Sequence, residues 1–398
     1  MKRDVLRRFG YLPFAAMLAL IAVGTVAIWS AGNARAEAVF HDMWKSNLCT
    51  AAFGLALYFL IAFTDYRRIL NLVALPAYVL SLALLVTVLL VGTERFGGRR
   101  WLWFFQPSEI SKLCLLLFLS ALFGRTNSLL RRFALPDGSG FGFRAFLVAC
   151  AAIGIPCLLI LAEPDLGTTL TLVPAALVML FAARVWRRGL VVLVSAGAIA
   201  AFAVLGAVYE AEKPGTPPER RARILAAVPL KDHQLTRVKV FLFPESDPTG
   251  SGYNLRQAKI SIGSGGFRGK GLGKGETNHL KYLPQAISMN DFIFCVYAEE
   301  TGFIGSVALL ALFALLLLPS CWIAYRATDG RGRLLALGVS ALVFAHVYVN
   351  IAMSIGLVPI TGLPLPFISS GRTFLVTVMA GLGFIQSITI HREEYITC

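Results

Sequence analysis

The sequence predicts an all-α polytopic membrane protein of about ten transmembrane helices, with a long extracytoplasmic loop between helices 7 and 8. Three observations predict this class. Hydrophobic residues make up 57% of the 398-residue chain and charged residues 15%, whereas a soluble domain carries about a quarter charged residues. The apolar residues are gathered into runs near the roughly 20 residues that a bilayer span needs. Positive charge is concentrated in alternate intervals between those runs. Backbone groups in lipid find no water to bond, so the runs are predicted to be helices.

In chain order the predicted spans are residues 10–30, 44–63, 72–92, 108–124, 143–162, 165–183, 189–209, 292–321, 334–358 and 365–390. The basic start MKRDVLRR resembles a secretion signal, but no small-residue cleavage site ends the following apolar stretch, so it reads as a retained first helix. Arg67, Arg68, Arg131, Arg132, Arg187, Arg188, Arg331 and Arg333 fall in intervals on the N-terminal side. The short intervals opposite hold only Arg35, Lys45, Arg95, Arg99, Arg100 and Arg372. That asymmetry predicts both termini in the cytoplasm and residues 210–291 outside it. The chain reads as one membrane domain, 1–398, with 210–291 as a loop within it. Long loops cross regardless of charge, so the thirteen Lys and Arg of 210–291, in a chain of net charge +15, need another reason. An anionic ligand or lipid headgroup supplies one.

Seven scattered cysteines, none in the long loop and none as C-x-x-C, argue against a disulfide framework or zinc site. The absence of an internal repeat disfavours an inverted-repeat transporter. Within the loop, KPGTPPERRAR (213–223) is predicted irregular because of its prolines and charge. Tyr253 to Ile262 is predicted to form a short amphipathic helix, with Leu255, Ala258 and Ile262 on one face. Gly263 to Gly275 holds seven glycines in thirteen residues, which excludes regular helix or strand.

That glycine-rich segment is the first candidate site. Glycines allow successive N–H groups to converge on an anion, and Arg268, Lys270 and Lys274 add charge. It is neither a Walker A loop nor G-x-G-x-x-G. A flexible loop touching anionic lipid reads equally well. Asp291 stands at the start of the eighth span, where a carboxylate serves as helix cap, general base or metal ligand. Glu299 and Glu300 lie two turns on, and charges at such depth face either a partner or a cavity. Glu109 and Lys112, three apart in QPSEISK, share one helix face as an ion pair or as cavity lining. In EPDLGT, Pro164 and Asp165 suit a helix start. The last outer loop, PITGLPLPFISSGR, suits irregular backbone around a cavity.

These motifs together resemble the SEDS family (shape, elongation, division, sporulation), the family of RodA and FtsW. They are DYRR (65–68), RWLWFFQPSEISKL (100–113), EPDLGTTL (163–170), FPESDPTGSGYNLRQAKISIGSGGFRGKG (243–271), DFIFCVYAEETGFIG (291–305) and VNIAMSIGLVPITGLPLPFISSG (349–371). PESDPTGSGY followed by GGFRGKG is closer to RodA than to FtsW. The resemblance implies a glycosyltransferase of the bacterial cytoplasmic (inner) membrane that polymerises lipid II into peptidoglycan for cell elongation and shape. It implies a class B penicillin-binding protein and other elongation-complex membrane proteins as partners, with no nucleic acid. The family's essential Asp maps to Asp291, as base and as ligand of a divalent cation, Mg²⁺ or Mn²⁺. Arg100, Arg268, Lys270 and Lys274 become the cations for a pyrophosphate. Glu109, Lys112, Glu300, Ser369 and Ser370 become cavity residues that contact substrate. Two stretches depart from the pattern. L-P-E-x-H-T-D is replaced by LPQAISMND (283–291), and S-Y-G-G-S by SSGRT (369–373). The rival readings are a flippase for the lipid-linked precursor and a non-catalytic scaffold of the synthesis complex.

Overall fold

The computed structural model describes residues 8–33, 38–95, 98–103, 105–124, 140–213, 215–228, 230–279 and 282–392. All ten predicted spans are helical: α1 (Tyr11–Asn33), α3 (Met43–Phe63), α4 (Tyr66–Val91), α5 (Pro107–Phe123), α6 (Phe143–Ala162), α7 (Leu166–Ala182), α8 (Arg187–Glu212), α14 (Ile293–Arg326), α15 (Gly330–Ile355) and α16 (Arg372–Ile390), with a single turn, α2 (Ala38–His41), after the first. Eight of these are long and apolar enough to cross a membrane, while α5 and α7 have 17 residues each. The protein is a multi-pass membrane protein. Its exposed side chains include Leu72, Leu90, Phe202 and Leu318, a surface that water would not tolerate over such an area but lipid does.

Burial ranks the helices. α15 and α16 form the centre, with 72% and 83% of their apolar windows buried, whereas only 6% of the window in α8 is. α16 packs along α3, α14 along α1, and α15 along α7 and α5. Polar side chains on α15, among them His346, Asn350 and Ser354, are buried, so each must be matched by protein.

The outer segments differ from expectation in three places. Residues 93–95 and 98–101 form a two-stranded antiparallel pair, β1 (Thr93–Arg95) and β2 (Gly98–Trp101), among described residues that are otherwise mainly helical. The stretch predicted irregular is partly helix, α9 (Pro218–Ala227). Pro218 at its first turn needs no N–H partner, and ERRARILAA is rich in helix formers. The last span starts seven residues late, at Arg372, because the loop before it contains Pro364 and Pro366. The amphipathic helix appears as α11 (Ser251–Ser264), with Leu255 and Ala258 buried. It follows α10 (Asp232–Leu242) and leads to two single turns, α12 (Glu276–His279) and α13 (Gln285–Ser288).

The glycine-rich segment has a structural task. Helix α14 breaks at Gly302, whose φ of 68° and ψ of −164° only glycine adopts readily. In an unbroken helix the N–H groups of residues 303 and 304 would bond the carbonyls of 299 and 300. Instead Phe303 N–H donates to Gly266 O (2.9 Å) and Ile304 N–H to Phe267 O (3.2 Å). The freed carbonyls of Glu299 and Glu300 accept from the N–H groups of Lys270 (3.0 Å) and Gly271 (2.9 Å). The loop is inserted into the break. A Cβ on Gly302 would lie 2.3 Å from Gly269 N, and one on Gly269, itself at φ +77°, 2.1 Å from Glu300 O.

Gly302→Ala is therefore expected to lower the thermal midpoint of the detergent-solubilised protein, with a loss of at least about 2 kcal/mol from backbone strain and weakened loop contacts. Gly197→Ala, where nothing lies within 4 Å of the added methyl, is expected to leave the midpoint unchanged or slightly raised.

Candidate active site

Asp291 follows a turn, just before α14. The helix cap position belongs to Phe292, and no side chain caps that end. The Asp291 carboxylate, half-buried, makes no hydrogen bond among the described residues. Its backbone is fixed instead. Asn350 of α15 donates from Nδ2 to Asp291 O (2.9 Å) and to Leu363 O (2.6 Å). Ser369 Oγ donates to Asn290 O (2.6 Å), and Ser370 Oγ to Asn290 Oδ1 (2.5 Å). A side chain at Gly362, which has φ +73°, would place its Cβ 3.4 Å from Asp291 Oδ2. The altered stretch 283–291 keeps its shape through α13, where Ser288 N–H donates to Pro284 O and Phe292 N–H to Ile287 O.

Two cations and a second carboxylate share the field at Asp291: Arg237 from α10, Arg100 from β2, and Asp165 at the start of α7. Arg237 donates to Thr361 O (3.0 Å) in the last outer loop. Arg100 donates to Glu163 O (3.3 Å) and to Pro164 O. Asp165 is fully engaged. It accepts from Thr168 N–H (3.1 Å), Thr168 Oγ1 (2.8 Å) and Gln106 Nε2 (3.0 Å). Burial pushes the Asp291 pKa up to about 6; Arg237 and then Arg100 hold it down, and Asp165 adds to the rise. Burial and the neighbouring Arg100 press the pKa of Arg237 down.

The resemblance-based site residues fall into separate groups. Asp291 and Arg100 come together. Glu109 and Lys112 pair at 2.8 Å near the start of α5, both buried. Lys112 Nζ donates to His346 Nε2 (3.0 Å), with Thr171 Oγ1 3.2 Å from the same nitrogen. An ammonium group can only donate, so Nε2 is the acceptor and the imidazole carries its proton on Nδ1. The Phe374 ring stacks on His346 and lies under Lys112. Lys270 is elsewhere: it pairs with Glu299 (2.9 Å) and Glu276 (3.3 Å). Glu299 Oε1 and Oε2 also accept from the N–H groups of Glu276 (2.9 Å) and Thr277 (3.2 Å) and from Ser261 Oγ (3.2 Å). From the glycine-rich segment only Lys270 Nζ and Ser264 Oγ reach this carboxylate, and the backbone N–H groups that bond it belong to Glu276 and Thr277, just beyond the segment. Glu300 accepts from Ser30 Oγ (2.6 Å) on α1, which in turn accepts from Gly273 N–H. Arg268 and Lys274 are exposed on the outer side of that loop. Ser369 and Ser370 brace the Asp291 turn.

Arg237, Asp165, Asn350 and His346 did not stand out as site residues in the sequence. Arg237 is one of thirteen cations in its loop. His346 and Asn350 carried a usable signal, since polar groups inside an apolar span are expensive and point to function or partners.

Comparison with known proteins establishes the relationship. A family profile covering FtsW, RodA and SpoVE, described as "Cell cycle protein", matches residues 11–394. The chain belongs to this family. It is 35% identical over 382 residues to the peptidoglycan glycosyltransferase MrdB of Escherichia coli K12, covering 95% of this chain and 92% of that one. It is 31% identical to the stage V sporulation protein E of Bacillus subtilis, over 94% of each. Among solved structures it resembles a chain of a peptidoglycan synthase complex that coordinates polymerization and crosslinking, with TM-score 0.70, 28% identity and coverage of 97% and 99%. The rod shape determining protein RodA of Thermus thermophilus matches with TM-score 0.63 and 26% identity over 97% and 98%. The all-α architecture read from the sequence is that of the family.

One further group in this family member is out of balance. Glu163 is fully buried and neither carboxylate oxygen has a hydrogen-bond partner. Burial first, and then Asp165, push its pKa up to about 8, against the pull of Arg100. The unfolded chain gives up this proton near the ordinary carboxylate value, so the fold loses stability as pH rises from about 4.5 to about 8. Glu163→Gln removes that loss. Its thermal midpoint is expected to exceed the parent's by a margin that grows across this range and is constant above it; the same margin at pH 5 and pH 8 would contradict the assignment.

Proposed function

We propose that this chain is a peptidoglycan glycosyltransferase that joins lipid II units into glycan strands at the outer face of the cytoplasmic membrane. Both termini lie in the cytoplasm in this reading, which the distribution of Arg and Lys supports. One observation carries the assignment of the site: a carboxylate free of hydrogen bonds among the described residues, Asp291, in the field of two cations, Arg237 and Arg100, each anchored on a loop carbonyl.

The chemistry follows from those positions. Asp291 takes the proton of an acceptor sugar hydroxyl as its oxygen attacks the anomeric carbon of the donor. The bond from that carbon to the pyrophosphate breaks, with inversion. A base with pKa about 6 is mostly ionised at neutral pH yet close enough to it to carry a proton. Negative charge develops on the leaving pyrophosphate, where fixed cations stabilise the transition state most. Arg237 and Arg100 are placed for this, and Arg268 and Lys274 sit further out for an approaching anionic headgroup. Lys270 is committed to Glu299. Glu109 and Lys112 are committed to each other as a buried ion pair.

A divalent cation, Mg²⁺ or Mn²⁺, is part of the proposal. Among the described residues no three His, Cys, Asp or Glu side chains cluster. Mg²⁺ is commonly held by one or two carboxylates together with substrate phosphates, and the unbonded Asp291 carboxylate fits that pattern. Bound there, the ion would neutralise charge on the pyrophosphate. A class B penicillin-binding protein is the proposed partner for crosslinking, alongside other membrane proteins of the elongation complex.

Asp291→Asn, in purified protein with its partner, is expected to slow conversion of labelled lipid II to polymer by about 10²-fold or more, the usual worth of a general base. Full activity in this variant would remove the assignment. The parent's rate is expected to rise with pH through about 6, as Asp291 loses its proton, and then level off. Arg237→Gln is expected to move that midpoint upward, because the cation that most lowers the Asp291 pKa is gone; a midpoint unchanged or lowered would show that Asp291 is not the titrating group.

A further inference from the structure

A cavity of about 370 Å³ abuts the turn that carries Asp291. It opens between the start of α3 and the start of α16, and Phe40, Met43, Ser46, Asn47, Ser370 and Arg372 line it. Met43, Ser46 and Asn47 are spaced so that they share one helix face. Asn47 is only 2% exposed, and neither its Nδ2 nor its Oδ1 has a hydrogen-bond partner. A buried amide left unmatched on both atoms costs stability, and in a native protein it calls for an explanation.

Charge narrows what would match it. Asp42, also on the wall, is neutralised by Lys45 at 2.8 Å. Arg372 is exposed and has no ion-pair partner among the described residues. The cavity therefore carries one uncompensated positive charge, an amide that both donates and accepts, two hydroxyls, and an aromatic ring in Phe40. Pockets of this volume that combine apolar walls with a few convergent polar groups are the usual form of a small-ligand site. Ser370 links the cavity to Asp291. It lines the wall and also bonds Asn290, through Oγ to Oδ1 at 2.5 Å, next to Asp291.

We infer that this cavity is a saccharide subsite, which holds a sugar unit bearing an amide substituent and a short peptide with a free carboxylate, beside the reacting carboxylate. The inference rests on the glycosyltransferase reading. Asn47 meets an amide substituent, Ser46 and Ser370 meet ring hydroxyls, Phe40 covers an apolar sugar face, and Arg372 pairs with the carboxylate. A strand held there stays within reach of Asp291 between additions.

The test uses a soluble, lipid-free disaccharide-peptide from peptidoglycan as probe, with binding to the purified full chain measured by saturation-transfer NMR titration. The parent is expected to bind, and Asn47→Leu and Arg372→Gln to bind at least about fivefold more weakly. Leucine nearly matches asparagine in size and removes an unmatched amide, so Asn47→Leu is expected to melt no lower than the parent. Absence of binding to the parent, or equal binding to parent and both variants, would overturn the subsite. Binding that behaves as expected in a parent that makes no polymer would keep the subsite and sink the glycosyltransferase reading instead.

Discussion

The break in α14 at Gly302 governs the half of this protein that carries Asp291. A helix interrupted near a membrane exposes backbone groups that lipid cannot satisfy, at a cost of several kcal/mol each. Here two intrahelical bonds are replaced by four bonds to the glycine-rich loop, from Gly266, Phe267, Lys270 and Gly271. The Glu299 side chain adds a clasp of its own, gathering Lys270, Ser261 and the N–H groups of Glu276 and Thr277. The loop cannot leave without uncovering both the break and a buried carboxylate. What holds it down also fixes the first turns of α14, and through them the position of Asp291.

The turn that carries Asp291 is held from the opposite direction. Asn350, deep in α15, holds the carbonyls of Asp291 and Leu363 with one amide group. Ser369 and Ser370 tie the neighbouring turn to the last outer loop. Among these bonded groups the Asp291 carboxylate is left without a hydrogen bond to any described residue. Arg237 and Arg100 come from different elements and are themselves anchored on carbonyl oxygens. Anchored cations need little reorganisation as charge develops, which is the physical basis of electrostatic catalysis. Cost accumulates nearby: Glu163 is buried next to Asp165 and unbonded, the kind of stored imbalance that a binding site tolerates and a purely structural surface would shed.

Much of the architecture was legible in the sequence because bilayer thickness imposes a simple rule on run length. Every predicted span is a helix, and the amphipathic segment around Leu255 and Ala258 folded as its periodicity required. Local exceptions had local causes. Pro218 started a helix in a segment read as irregular, and Pro364 and Pro366 delayed the last one. The glycine-rich segment was read as an anion cradle, but its N–H groups at Lys270 and Gly271 serve carbonyl oxygens of the broken helix. The partner of the Lys270 side chain, Glu299, lies 29 residues away, a distance over which no local pattern reports.

The fold class could be read along the chain, and Asp291 could be singled out as a candidate base, because hydrophobic run length and family motifs are linear properties. Which cations face that base was decided in three dimensions. Lys270 went to Glu299, while Arg237, one cation among thirteen in the loop, arrived beside Asp291. Such choices depend on how helices distant in sequence cross and on which buried charges must be matched, and electrostatic pairing in a low-dielectric interior is settled by a few ångströms that a sequence does not state.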